Sequence, residues 1–201
     1  MWPHGSAGGP PDRRVRRPAR HRKHLDEAII ALAAVRDHVD AQLVIAGVGT
    51  QHATLQAQAI RAGVSEYVHF LGFVPDADLP DLYAAMDAFV MPGPAELQSL
   101  ATLEALACGT PAVAADAVAL PHLVHPGDTG YLYPPGDSQT LAACLVTLLT
   151  DTQLRARMRR AARTVAQDHD FTTTLHRFEM IYRQVVRSSP IAAAPTQQAT
   201  A

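Results

Sequence analysis

The sequence has only two cysteines, Cys108 and Cys144, in 201 residues. Both lie in apolar, helix-like stretches, so they read as small buried hydrophobes in a reducing compartment rather than as a disulfide or metal framework. No stretch reaches the roughly 18 uninterrupted apolar residues that a membrane span needs. The opening "MWPHGSAGGPPDRRVRRPARHRK" is mostly Pro, Gly and Arg and lacks the apolar centre of a secretory signal. A cytoplasmic protein is the resulting expectation. Net charge is only -2 with His neutral, which gives no overall field for nucleic acid and makes any anion site local. Metal patterns are sparse as well. The histidines form two pairs three apart, His21 with His24 and His122 with His125, and neither acquires an acid or Cys to complete a site. The "GVG" at 47–49 is too short for a dinucleotide fingerprint and reads as a loop bordering a pocket.

What is present is one domain's worth of regular alternation. The length suits a single domain with a real core, since domains cluster near roughly 100 to 150 residues. Residues 1–20 offer little to bury and much backbone entropy to lose, so they read as a solvated basic tail. From Leu25 the pattern changes: Leu25, Ile29, Leu32 and Val35 fall at helical spacing, and "AQLVIAG" follows as a buried strand ending in Gly. Helix and strand then alternate through "QHATLQAQAIRAG", "YVHFLGFV", "DADLPDLYAAM", "DAFVMP", "ELQSLATLEALACG" and "TPAVAA". A short helical segment at "LPHLV", one small strand at residues 131–133 and helices at 138–150, 152–167 and 171–187 complete the chain. "DHD" at 168–170 reads as a capping turn, and residues 188–201 as a second tail. The pattern specifies an α/β domain over residues 21–187 with a doubly wound, Rossmann-like parallel sheet. Ligands in such sheets bind beyond the carboxyl ends of the strands. That rule singles out the loops at 48–52, 74–76 and 93–97.

The last of these loops opens "AELQSLATLEALACGTP", with Glu96 and Glu104 eight positions apart in a small, apolar setting. A helix starting near Leu97 or Gln98 would put Glu96 at its mouth, beside the free amides of Gln98, Ser99 and Leu100, a ready anion site. Glu104 would then lie two turns on, at roughly 80° around the helix. The acids could grip different parts of one elongated ligand while the helix start takes phosphate. On spacing alone the pair reads equally as a first-turn acid and a surface residue. The surroundings favour a ligand role, because Leu100, Leu103, Ala105, Leu106 and Ala107 make the helix apolar nearly all round and predict a covered site for Glu104.

The run "MPGPAELQSLATLEALACGTPAVAADAVALPHLVHPGDTGYLYPPGD" resembles the donor-binding, C-terminal half of retaining glycosyltransferases of the GT-B fold, family-4 type. The likeness rests on the E-x7-E element, the Gly-Thr-Pro entry to the next strand and "TGYLYPPGD". It extends in order over about residues 15–187 and is specific over 91–137. The resemblance implies that Glu96 binds donor-sugar hydroxyls near the reacting centre and that Glu104 holds the nucleotide's ribose. It places Gln98, Ser99 and Leu100 where backbone amides meet the diphosphate and sugar, and Phe73 and Val74 against the base. Lys23, with Arg17 six residues before it, falls where the family sets an Arg and Lys pair on the diphosphate. Two cations there would stabilise a departing nucleoside diphosphate with no metal ion. The implied donor is a UDP- or GDP-sugar, and the implied reaction moves a hexose to an acceptor hydroxyl with retained configuration.

Three departures from the family pattern accompany the likeness. Gln98 and Ser99 stand where the family has Phe-Gly, and Ser has a β-carbon that restricts close backbone approach. "ELQS" is the form of relatives that glycosylate lipid or polyprenyl acceptors, which would bring the chain to a membrane through its acceptor. "DRRVRRPAR" replaces an apolar strand ending in Gly-Arg-Leu, with Pro18 at the Leu position. Finally, a GT-B enzyme has two Rossmann-like domains, with the acceptor on the N-terminal one, and this chain starts where the second begins. A truncated gene or an N-terminal half supplied by another chain follows, with the composition of residues 1–20 favouring truncation. Phe171, Leu175, Phe178, Ile181 and Tyr182 of the last helix would then be uncovered. A non-catalytic nucleotide-sugar binding module or an inactive fragment is the alternative expectation; a nucleotide-sugar epimerase is disfavoured by the lack of an epimerase acid or His set.

Overall fold

The computed structural model describes residues 23–188, so the residues 1–20 and the stretch beyond 188, read above as tails, lie outside the described part, as does Arg17. Strands and helices alternate: α1 (Leu25–Arg36), β1 (Leu43–Ala46), α2 (His52–Arg61), β2 (Val68–Gly72), α3 (Leu79–Ala85), β3 (Phe89–Met91), α4 (Leu100–Ala107), β4 (Ala112–Ala115) and β5 (Gly130–Tyr133). Three helices follow, α5 (Ser138–Thr150), α6 (Thr152–Asp168) and α7 (Phe171–Ser188).

Every strand pairing is parallel, but among the described residues the pairings form two groups, β1 with β2 and β3-β4-β5. Hydrophobic burial follows the same division. Ile45, Leu55, Ala59, Val64 and Val68 form one cluster, and Val113, Ala114, Tyr133, Leu141, Leu148 and Met158 belong to the other. Helix α1 joins them, with Ile29 and Leu32 in the first cluster and Ala31 and Val35 in the second. The four-residue strand β4 is buried at every position, as a central parallel strand covered on both faces should be.

Helix starts after β5 are set by acids. Asp137 and Asp151 accept from the Thr140 and Leu154 amides at 2.9 and 2.8 Å, and Asp170 of "DHD" accepts from the Thr173 amide at 2.9 Å, which makes it the capping turn expected. Glu27, buried on α1, ties that helix to the far end of the sheet: it accepts from the Tyr133 hydroxyl at 2.9 Å and the Gly136 amide at 3.1 Å. Helix α7 has no buried residue; Phe171, Leu175, Phe178, Ile181 and Tyr182 are all more than half exposed, a face left uncovered by the described residues. The two cysteines are free and half-buried, and burial raises both thiol pKa values above the ordinary range. Among the described residues no helix is long and apolar enough to cross a membrane, and no group of three or more His, Cys, Asp or Glu stands together.

Candidate functional site

Parallel strands release their loops at one edge of the sheet, and the candidate residues collect there. The loop after β1 is fastened by the Gly47 amide, which donates to the Gly72 carbonyl at 2.6 Å, so the ends of β1 and β2 stay together. The loop after β3 is fastened to the one after β4, because the Ala119 amide donates to the Glu96 carbonyl at 3.3 Å. Large apolar side chains stand exposed along this edge: Val48 after β1, Phe73 after β2, Leu97 and Leu100 around the start of α4, and Val118 after β4. Single exposed apolar residues are ordinary, but one on each consecutive loop makes a rim suited to a ligand with flat, apolar parts.

The fold brings Lys23 and Glu96 together across 73 residues, with Lys23 Nζ bonded to Glu96 Oε1. Lys23 is the more open partner at 57% side-chain exposure, and Glu96 is held at 15%. Gly93, buried beside them, is within ordinary contact of both, its β-carbon position being 3.5 Å from Lys23 Cα and 3.6 Å from Glu96 Oε1. Exposed ion pairs contribute about 0–1 kcal/mol, so Lys23 can leave Glu96 for a phosphate oxygen at little cost.

Helix α4 departs from the sequence expectation. It begins at Leu100, not at Leu97 or Gln98, because Ser99 takes a left-handed backbone (φ 48°, ψ 63°) that no α-helix can include. Ser99 is buried, its hydroxyl bonded to that of Thr102 at 2.7 Å, and its carbonyl accepts from the Thr102 and Leu103 amides. The amides that remain for a ligand at the helix start are those of Leu100 and Ala101. Of the three residues expected to offer helix amides, Gln98 and Ser99 therefore precede the helix, Gln98 being exposed in the loop.

Glu104 is also placed differently from expectation: it is exposed rather than covered. The helix buries Thr102, Ala105 and Leu106 on one side and leaves Leu100, Glu104 and Ala107 on the other, one helical strip opening outward. Its carboxylate nevertheless has a fixed partner, accepting from the Tyr83 hydroxyl at 3.0 Å. Tyr83 is buried on α3, its carbonyl bonded by the Thr110 hydroxyl at 2.6 Å and its ring edge-on to Phe89 at 5.7 Å. Burial, then the bond to Glu104, push the Tyr83 phenol pKa well above its ordinary value. Sequence reasoning missed Tyr83. Its spacing with Leu79, Leu82 and Met86 marks an apolar helix face, and no local signal ties it to a carboxylate 21 positions away. Phe73 is 73% exposed and Val74 half-buried, both at the carboxyl edge.

A parallel α/β layer with cation, carboxylates and an apolar rim gathered at one edge has the Rossmann-like architecture of a GT-B C-terminal domain. Residues 16–165 match the family described as Glycosyl transferases group 1, and the chain belongs to that family. It is 33% identical over 169 residues to the phosphatidyl-myo-inositol mannosyltransferase of Mycobacterium leprae, covering 83% of this chain and 44% of that protein. Anabaena HepE, solved in complex with UDP-glucose, is similar at 30% identity and TM-score 0.67, over 79% of this chain and 44% of that one. The C-terminal domain of a group 1 glycosyl transferase (LpcC) from Francisella tularensis, solved by itself, matches at 26% identity and TM-score 0.65, over 72% of this chain and 78% of that one. The chain thus spans less than half the length of the full-length relatives it matches, and it corresponds to their C-terminal half.

Proposed function

We propose that residues 21–187 form the donor half of a hexosyltransferase, binding a nucleoside diphosphate sugar at the carboxyl edge of the sheet. Glu96 accepts from hydroxyls of the donor sugar and Glu104 from the ribose, and an acid accepting two neighbouring hydroxyls is well matched to a diol. The amides of Leu100 and Ala101 and the ammonium of Lys23, with Arg17 as its sequence partner, receive the diphosphate. Gln98 and Ser99 line the turn beside it, and Phe73 and Val74 pack on the base. The donor is a UDP- or GDP-sugar, and no metal takes part.

In the reaction the bond between the sugar's anomeric carbon and the diphosphate breaks, and charge grows on the leaving oxygen. Lys23 stabilises that charge while Glu96 fixes the sugar. The acceptor hydroxyl adds with retained configuration, its proton passing to the leaving phosphate. The acceptor, a membrane lipid or a glycan, binds an N-terminal domain of the GT-B type. The setting is cytoplasmic, with any membrane association through the acceptor.

The observation that carries this reading is the meeting of Lys23 with Glu96 at the mouth of the parallel sheet, from positions 73 apart in sequence. Calorimetric titration of the chain with UDP- and GDP-sugars tests it. Binding by the wild-type chain and its loss in Glu104→Ala are expected. No binding, or equal binding by that variant, would overturn the donor-site reading.

A further inference from the structure

We propose that His24 is a positioning residue, fixing the place of Lys23 through the buried carboxylate of Glu27; this rests on the edge of the sheet being the donor site. Lys23 is the only lysine in a chain of 201 residues with 17 Lys and Arg, so no other lysine stands in for it. Its ammonium exchanges partners easily, but what that ammonium can reach depends on where the backbone sets the residue.

One turn sets that backbone. His24 adopts a left-handed conformation (φ 52°, ψ 34°) immediately before α1. A β-carbon makes this region costly, so a residue released from it moves to the ordinary regions and carries its neighbour with it. Two bonds close the turn. The Glu27 amide donates to the His24 carbonyl at 3.0 Å, and His24 Nδ1 donates to Glu27 Oε1 at 2.9 Å. An ionised carboxylate only accepts, so Nδ1 carries the hydrogen. The imidazole makes no capping bond to the amides of α1, unlike an ordinary N-cap side chain, and is spent on Glu27.

Glu27 cannot follow His24 if the turn opens, because its second oxygen is already engaged. Oε2 accepts from the Tyr133 hydroxyl at the end of β5 and from the Gly136 amide just before α5, 106 and 109 residues away in sequence. Glu27 is 6% exposed, and a buried carboxylate stays with its donors. His24 is thereby moored to the junction of β5 and α5. On the other side Lys23 meets Gly93, whose β-carbon position is 3.5 Å from Lys23 Cα and 3.6 Å from the Lys23 carbonyl oxygen. Lys23 is confined between the two, and from there its Nζ meets Glu96. A cation set in place beforehand loses less freedom when a diphosphate arrives.

The test uses the full chain and two readouts. Acylation by acetic anhydride, followed at Lys23 by mass spectrometry, reports how firmly the amine is held and needs no nucleotide. Calorimetric titration with UDP and with GDP reports what the placement does for binding. His24→Ala should acylate at Lys23 about fivefold to tenfold faster, and should bind whichever nucleotide the wild type binds more weakly by a similar factor, with an unchanged circular dichroism spectrum. His24→Asn should restore both, because Asn tolerates the left-handed turn and its side-chain nitrogen takes the place of Nδ1. In a Lys23→Ala chain, His24→Ala should weaken binding no further, whereas a purely structural role would weaken it in both backgrounds. Unchanged acylation in His24→Ala, no rescue by Asn, or an equal further loss in the Lys23→Ala chain each overturns the proposal. If the wild-type chain binds neither nucleotide, the donor-site reading falls, while the acylation rates still decide whether His24 places Lys23.

Discussion

Ser99 offers a measurement of the turn that positions the helix start. A residue other than Gly pays about 1–2 kcal/mol in the left-handed region, whereas Gly pays roughly 0.5–1 kcal/mol more chain entropy on folding than Ala. Ser99→Gly and Ser99→Ala both lose the 2.7 Å bond to the buried Thr102 hydroxyl, so that loss cancels when the two variants are compared. What remains is the backbone difference, which leaves the Gly variant roughly 0.5–1 kcal/mol more stable than the Ala variant. In a domain of this size that is about 2 °C in the melting midpoint. Paired urea and thermal unfolding of the two variants measures it. An Ala variant as stable as the Gly variant would refute the left-handed turn at residue 99, and with it the start of α4 at Leu100.

Other perturbations test the packing around the site. Glu27→Leu leaves the buried Tyr133 hydroxyl and the Gly136 amide without their acceptor, and a loss of about 2–4 kcal/mol in urea unfolding is expected. Tyr83→Phe removes the donor that orients Glu104 and should weaken UDP binding about twofold to tenfold by calorimetry, with little change in the circular dichroism spectrum. Unchanged affinity would show that Glu104 is positioned without Tyr83. Tyr83 and Tyr133 both hold their protons beyond the ordinary phenol range, through burial first and then through donation to Glu104 and Glu27. With folded values raised above unfolded ones, stability is intact below about pH 10 and falls as pH rises past it. Phenolate absorbance should therefore show these two tyrosines ionising only as the chain unfolds in alkali.

The order of elements was legible in the residues themselves. Helical spacing from Leu25 to Val35, the Gly-terminated strand "LVIAG", Gly63 after α2 and Gly109 after α4 announce each change of structure locally, because period and turn chemistry act over a few residues. The parallel alternation followed from that order, and with it the edge of the sheet where Glu96 lies, whereas Lys23 was marked only by the family resemblance. Positions that depend on neighbours far along the chain were not legible. "AELQSLATLEAL" has helix-forming character from its first residue, yet the backbone of Ser99 turns left-handed and α4 starts at Leu100.

The sequence alone determined the class of domain and the loops at its carboxyl edge, that of Glu96 among them, since residue types and their periods decide which elements form and where a parallel sheet releases its loops. Only the tertiary structure decided that Lys23 pairs with Glu96, that Tyr83 holds an exposed Glu104, and that Glu27 of α1 bonds Tyr133 at the end of β5. Each of these depends on the crossing of distant segments, and contacts over tens of residues leave no periodic mark in the chain.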